Sequence, residues 1–484
     1  MDELTLGNVK QRAVKGVAAL TGRMFIFQII NRAGEFMLTV FLGGAQYGVF
    51  WIVSAVVNFL AYFSDIGLAA ALIQKKERVT EEELRVTFTI QQLLVLLILL
   101  VLFLAAPFFK VYYDLSQESI WLLYALGISL FLSSLKTIPS VLLERKLEFT
   151  KLVIPQIGEV IAFNVIAVYL AWQGYGVTSF TAAVLARGVV GLVLIYILQP
   201  WKPGFAFSRS IISGLLKFGL PYQANTFLAV IKDDGMTVFL GGILGASGMG
   251  LLGWAQRWAF APLRFFMDQV IKVTFPAFSR MQDNKEELSR AVSKSILFVC
   301  LLVFPSLVGL LLLAPSLTEI IPKYEKWQPA LIALSLFSVN AAWAAVTTPL
   351  TNLLNAIGKI TITFRLMIMW TTLTWVSTPF LAILYGVNGA AAGSAIIGTT
   401  SIVAIFIIRR YVTFDLVGSI GKPILASLIM GVVILFLRSI LPVSFFGILA
   451  ISVGGLVVYV SIIFFLVGNS IFTDAKRIFN ALRT

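Results

Sequence analysis

Residues 86–108 read VTFTIQQLLVLLILLVLFLAAPF, a run with no charged side chain. A helix that crosses a bilayer needs roughly 20 mostly apolar residues, and this run supplies them without interruption. Windows of the same kind recur at 15–42, 47–73, 119–143, 151–172, 177–198, 213–243, 248–277, 294–314, 328–354, 360–385, 387–408, 421–441 and 443–467. The pattern predicts an all-α integral membrane protein with about fourteen transmembrane helices. Most connections are too short to hold a domain, so neighbouring helices are expected to run antiparallel. The longest external segments, about 109–118 and 315–327, are small.

Composition supports this reading. Hydrophobic residues make up 59% of the 484 and charged residues 12%, where soluble domains run near half apolar and a quarter charged. Lipid must therefore be the main solvent. The single Cys300 excludes a disulfide framework, and the absence of His removes the usual metal and acid–base arrangements. No catalytic residues, metal or cofactor are expected. Residues 1–13 are polar and the apolar run after them is too long for the core of a signal peptide.

The net charge of +14 would suit a nucleic-acid partner if it were clustered on one soluble face. It is instead distributed by loop. With the N-terminus inside, the cytoplasmic segments hold 25 Lys and Arg: Lys10, Arg12, Lys15, Lys75, Lys76, Arg78, Arg85, Arg145, Lys146, Lys151, Lys202, Arg209, Lys217, Arg280, Lys285, Arg290, Lys294, Lys359, Arg365, Arg409, Arg410, Lys422, Lys476, Arg477 and Arg483. The external segments hold Lys110, Lys323, Lys326 and Arg438. An asymmetry that alternates loop by loop is the positive-inside signal. It predicts a multi-pass inner-membrane protein with both termini cytoplasmic, and no nucleic-acid partner.

A repeat adds domain organisation. TVFLGG stands at 39–44 and again at 237–242, ending the first and seventh predicted spans, and the same offset sets Glu35 opposite Asp233. Six spans separate the copies, so both run the same way through the membrane. This predicts two parallel six-helix lobes related by an axis along the membrane normal: 1–200 with spans 1–6 and 201–410 with spans 7–12. Residues 411–484 then carry two extra C-terminal helices and a cytoplasmic tail.

Eight basic residues remain within spans: Arg23, Arg32, Lys136, Arg187, Lys232, Arg257, Arg264 and Lys272. The acids there are Glu35, Asp65, Glu159, Asp233, Asp234 and Asp268. Each costs about 2.5–3.5 kcal/mol at the bilayer centre on insertion scales, so such residues face a polar interior. Arg257, Arg264, Asp268 and Lys272 fall within a sector of roughly 80° on one helix, and Gln28, Arg32 and Glu35 form a similar stripe on the first. Two polar stripes imply a cationic, water-filled cavity, and Arg forks suit phosphate. Arg32, Arg257, Arg264, Lys272, Lys136 and Arg23 are the candidate substrate-binding cations. Glu35, Asp233, Asp234 and Asp268 are candidates for coupling to a proton or sodium ion. The plain alternatives are that Arg264–Asp268 and Arg32–Glu35 are intrahelical pairs, and that Arg23, Lys136 and Lys272 snorkel to the headgroups. Prolines such as Pro155, Pro262 and Pro349 add kinks suited to rocking but are common in membrane helices.

DIGLAAALIQKKE at 65–77, LLERKLEFTKL at 142–152, LKFGLPYQANTF at 216–227 and FPAFSRMQDN at 275–284 resemble the polysaccharide-transporter branch of the multidrug/oligosaccharidyl-lipid/polysaccharide exporter superfamily, in particular its Wzx-type and teichuronic or colanic acid export subgroup. The resemblance covers about residues 10–410. It implies a V-shaped pair of lobes around a cationic cavity, and flipping of an undecaprenyl-pyrophosphate-linked oligosaccharide between leaflets by alternating access. Membrane lipids, a polysaccharide polymerase and glycosyltransferases are the further partners it implies. Many relatives carry a Gly-Arg pair after span 7; Gly241-Gly242 stands here, so no arginine role is carried to that position.

Two other functions fit less well. A cation-coupled multidrug exporter of the same superfamily favours an acid-lined pocket, whereas basic residues exceed acids within these spans. A membrane glycan polymerase or glycosyltransferase usually needs a sizeable catalytic loop with carboxylates or His, and the loops here are short.

Overall fold

A computed structural model describes residues 26–75 and 77–468. The described residues are helical almost throughout, and none of them lies in a β-strand. The helices are α1 (26–41), α2 (Gly44–Ala61), α3 (Leu68–Gln74), α4 (Glu81–Tyr112), α5 (Gln117–Leu135), α6 (Thr137–Arg145), α7 (Phe149–Trp172), α8 (Thr178–Leu198), α9 (Arg209–Val230), α10 (Met236–Arg280), α11 (Lys285–Ile320), α12 (Leu331–Ala356), α13 (Ile360–Thr399), α14 (Ser401–Arg409), α15 (Leu416–Ile440) and α16 (Phe445–Val467). Among the described residues eleven helices are long and apolar enough to cross a membrane.

The opening stretch of sequence lies in α4, whose two faces identify the solvent. Leu93, Leu97, Leu100, Phe103 and Leu104 are more than half exposed, while Gln91 and Gln92 are buried. Polar residues inside and leucines outside are the reverse of a helix in water and suit one in lipid. Each buried amide has one bonded half: Gln91 Nε2 donates to Thr137 Oγ1 at 2.9 Å and Gln92 Oε1 accepts from Ser134 Oγ at 3.1 Å. The N-terminus is closed by Thr80 and Glu83 in a reciprocal capping box, and Lys110 stands in the last turn, each charge favourable to the helix dipole.

Two long helices are broken by glycines. Gly245 (φ 63°) interrupts α10 and Gly386 (φ 61°) interrupts α13, in the left-handed region that Gly enters without a Cβ penalty. These breaks fall at the predicted junctions between 213–243 and 248–277 and between 360–385 and 387–408. Elsewhere the boundaries move. The predicted span 47–73 is not one helix: residues 62–67 form a turn, and Asp65 caps α3 by accepting from the Ala69 amide at 3.2 Å. The predicted span 119–143 divides at Lys136 into α5 and α6.

The described chain divides into two compact units after Gly250, within α10. In the first, α5 packs on α2, α4 and α8, and α7 packs on α8. The crossing of α2 and α10 is built from small residues four apart. A Cβ on Gly48 would overlap the backbone of Ala246, and one on Gly250 would overlap the backbone of Gly44. Without water to drive apolar surfaces together, such close backbone approach is what holds membrane helices.

Three of the stretches that carry the family resemblance also meet in this unit. Gly67 (φ 75°) abuts the Gly219 backbone. The Tyr62 hydroxyl donates to the Gln223 carbonyl, and Gln223 Nε2 donates to the Tyr62 carbonyl at 2.6 Å. Arg145 donates to the carbonyls of Leu72, Ile73, Lys75 and Glu77, at 2.5, 3.3, 2.7 and 2.7 Å. It thus closes the C-terminal end of α3, where unsatisfied carbonyls concentrate negative potential. Beside it Lys75 donates to Glu83 at 2.6 Å, and that bond holds the Lys75 ammonium above its ordinary pKa, so the link stays charged at neutral pH.

In the second unit α11 is central, packed by α12, α15 and α16, and α12 packs on α13. Val292, Ile296, Leu350, Leu353 and Ile408 form its core. Trp254 stacks on the fully buried Trp327 at 5.6 Å and donates to the Tyr324 hydroxyl at 3.1 Å. The C-terminal pair α15–α16 is tied to α11 by the Tyr459 hydroxyl, which donates to the Leu301 carbonyl at 2.7 Å. About half of α16 is exposed, Phe465 by 85%.

Two outcomes follow for the purified protein in detergent. Gly48→Val should lower thermal stability by about 1–3 kcal/mol or more through overpacking, while Gly43→Ala, whose Cβ would meet only Gln46 Oε1 at 3.7 Å, should melt like the wild type. Equal melting of the two variants would refute the close crossing. Arg145→Met should cost roughly 1.5–3 kcal/mol, the range for hydrogen bonds to a charged group, and Arg145→Lys should recover only part because one ammonium cannot serve four carbonyls. Full recovery by Lys would show that charge alone matters there.

Candidate functional site

The polar interior of the first unit starts on α1. Arg32 Nη1 donates to Glu35 Oε2 at 3.1 Å, and the Tyr47 hydroxyl of α2 donates to Glu35 Oε1 at 3.2 Å. The sequence left two readings of Arg32 and Glu35, cavity residues or an intrahelical pair. The structure pairs them, and it leaves the Arg32 side chain 30% exposed. One residue earlier, Asn31 accepts from Asn164 Nδ2 at 3.1 Å. A Cβ on Gly34 would run into the Asn164 side chain, so glycine at this position lets α7 lie against α1.

Five residues before Asn164, Glu159 gathers a second ionic group. Lys136, at the junction of α5 and α6, donates to Glu159 Oε1. Arg187 of α8 places Nε 3.8 Å from Glu159 Oε2. Lys136 is therefore engaged across helices, with its side chain 14% exposed, which is the opposite of the snorkelling alternative. Gly191 makes room for this carboxylate, because a Cβ there would overlap it. At Glu159 one carboxylate is thus met by two cations, in a setting where the local dielectric is low.

A third polar segment joins α9 to α10. Ile231–Gly235 is one turn of π-helix, a form common at functional positions. Within it Lys232 lies 3.5 Å from Asp233, whose side chain is 71% exposed, and Asp234 is half-buried. In the second unit Arg257 is half-buried and Arg264 is exposed. Asp268 and Lys272 follow on α10, but their side chains lie outside the described set, so the alternative of an Arg264–Asp268 pair does too. Arg23 precedes the described residues. Among the described residues no group of His, Cys, Asp or Glu could hold a metal ion.

The structure adds partners to which the sequence reading gave no role. Tyr47, Asn31 and Asn164 carry no charge and leave no trace in a count of buried charges. Glu159 and Arg187 were visible as charges within spans, and that was the available signal; their pairing depends on how α5, α7 and α8 pack.

Comparison with known proteins places this geometry. The chain is 25% identical over 431 residues, 85% of both chains, to the succinoglycan biosynthesis transport protein ExoT of Rhizobium meliloti. It is 24% identical to the lipopolysaccharide biosynthesis protein WzxC of Escherichia coli, over 68% of this chain and 66% of that one. Its fold matches the inward closed lipid II flippase MurJ with a TM-score of 0.74 at 15% identity, covering 92% and 98% of the two chains. It also matches an inward-facing multidrug resistance MATE family transporter of the MOP superfamily with a TM-score of 0.61 at 16% identity, covering 82% and 98%. Residues 37–331 match the model of the polysaccharide biosynthesis protein family, and the chain belongs to that family.

Proposed function

We propose that this chain is a flippase that moves a polyprenyl-diphosphate-linked oligosaccharide from the cytoplasmic to the outer leaflet. The observation that carries the reading is the pair of ionic groups within the spans of the first unit, Arg32 with Glu35 and, around Glu159, two cations, Lys136 and Arg187, on one carboxylate. A lipid diphosphate brings about two negative charges into a space of low dielectric, where an Arg fork binds phosphate oxygens bidentately. The polyprenyl tail can stay in lipid, so only the headgroup needs a polar path. The transport and lipid-sugar names of the relatives, among them a succinoglycan transporter and a lipid II flippase, support the same substrate kind.

The two glycine breaks support fourteen crossings: counting α10 and α13 as two each, and adding α1, brings the eleven apolar helices to the number read from sequence. We take residues 1–200 and 201–410 as the two lobes of an alternating-access carrier, with both termini cytoplasmic. Glu35, Asp233, Asp234 and Asp268 are the proposed sites of proton or sodium coupling. Arg257, Arg264, Lys272 and Arg23 are further candidate cations for the headgroup.

Cys300 is buried and is the only cysteine, so single introduced cysteines report cleanly. Ser247→Cys and Tyr385→Cys should be labelled by an impermeant maleimide added outside cells. Labelling only after the membrane is opened would reverse the proposed topology. In cells lacking the chain, Arg264→Ala should abolish polysaccharide export while the protein still inserts, and Arg264→Lys should rescue it in part. Near-normal export by Arg264→Ala/Asp268→Ala would show the two to be a structural pair and remove Arg264 from the phosphate path.

A further inference from the structure

Arg187 is the ninth residue after the start of α8, about 15 Å from either end, which puts it near the bilayer centre. Its side chain is 54% exposed. The lipid-facing stripe of α8 is marked by Val189, Val193 and Ile197, each at least half exposed. At about 100° per residue, Arg187 stands roughly 80–160° away from that stripe and within about 60° of Phe180, Val184 and Gly191, which are buried. An arginine exposed on the packed side of a mid-membrane helix faces a wet space within the protein, because hydrocarbon would not hold it.

Its pairing is loose. The Nε–Oε2 separation of 3.8 Å is beyond hydrogen-bond length, and among the described residues Arg187 makes no hydrogen bond. Glu159 is meanwhile held by Lys136 through its other oxygen. Two cations thus share one carboxylate, and only one of them is needed to neutralise it.

We infer that Arg187 is a further phosphate-binding residue, which leaves Glu159 to grip the diphosphate of the transported lipid while Lys136 keeps the carboxylate paired. The inference rests on the proposed lipid-diphosphate substrate. Removing the only partner of a buried carboxylate is strongly destabilising; the second cation, Lys136, avoids that when Arg187 turns away. The guanidinium then offers its fork to two phosphate oxygens. Lys136, with its side chain 14% exposed and already bonded, is the fixed member of the pair, and Arg187 is the mobile one.

The test is binding of farnesyl diphosphate to the purified full chain in detergent by titration calorimetry, with farnesol as the uncharged control. Arg187→Ala should weaken farnesyl diphosphate about tenfold, with farnesol unchanged, and Arg187→Lys should fall between. Glu159→Gln should tighten the diphosphate severalfold, and by less when combined with Arg187→Ala, a coupling that a merely structural arginine would not show. Wild-type affinity in Arg187→Ala would overturn the inference. Should that variant fail to fold, unchanged affinity in both Arg187→Lys and Glu159→Gln would overturn it equally. A wild-type protein that binds farnesol as tightly as farnesyl diphosphate would instead sink the proposed substrate itself, which separates the two failures.

Discussion

Inside hydrocarbon a charge must have a partner or water, and that constraint organises the first unit of this protein. Glu159 is the clearest case. It is seated between Lys136 and Arg187 on three different helical segments, in a notch left by Gly191. Arg32, Glu35 and Tyr47 form a second group tying α1 to α2, and the Asn31–Asn164 bond ties α1 to α7. These polar contacts decide which helix faces which, because the apolar surfaces around them gain little from preferring one another over lipid.

The same absence of a hydrophobic driving force explains the glycines. Gly44 and Gly48 on α2 meet Ala246 and Gly250 on α10 at backbone distance. The second glycine of the first TVFLGG copy is thus part of a helix crossing. Gly241 and Gly242 of the second copy lie against Ile52, Tyr113 and Tyr112. The Gly67–Gly219 contact and the four carbonyls held by Arg145 play a comparable part at the ends of α3. Stretches that mark the family are therefore in good measure contacts between helices, and need not all touch substrate.

Much of the architecture was legible in the sequence because lipid makes it so. A helix in water shows an alternation that must be decoded, whereas a helix in lipid shows a continuous apolar run, as 86–108 does. The breaks at Gly245 and Gly386 could be placed as junctions because two full-length apolar runs abut there. What could not be read was anything that depends on contact between distant residues. Arg145 counted toward the positive-inside asymmetry, yet its guanidinium caps α3; a topology charge and a capping charge look alike in sequence. Lys136 was open to a snorkelling reading because Glu159 lies 23 positions away and only the packing of α5 and α7 brings the two together. Asp65 was counted within a span and instead caps a short helix after a turn, since a seven-residue α3 carries too little sequence to reveal its start.

The central claim is that this interior carries a diphosphate headgroup through the membrane while its lipid tail stays outside. The direct measurement is translocation in vesicles reconstituted with the purified chain and a short polyprenyl-diphosphate sugar bearing a fluorophore on the sugar, followed by reduction with an impermeant quencher. The account predicts that vesicles holding the protein lose nearly all fluorescence, that empty vesicles keep the roughly half facing inward, and that a neutral polyprenyl glycoside of the same length is not moved. Protein-containing vesicles that retain the same protected half as empty ones, or that move the neutral glycoside equally well, would contradict it.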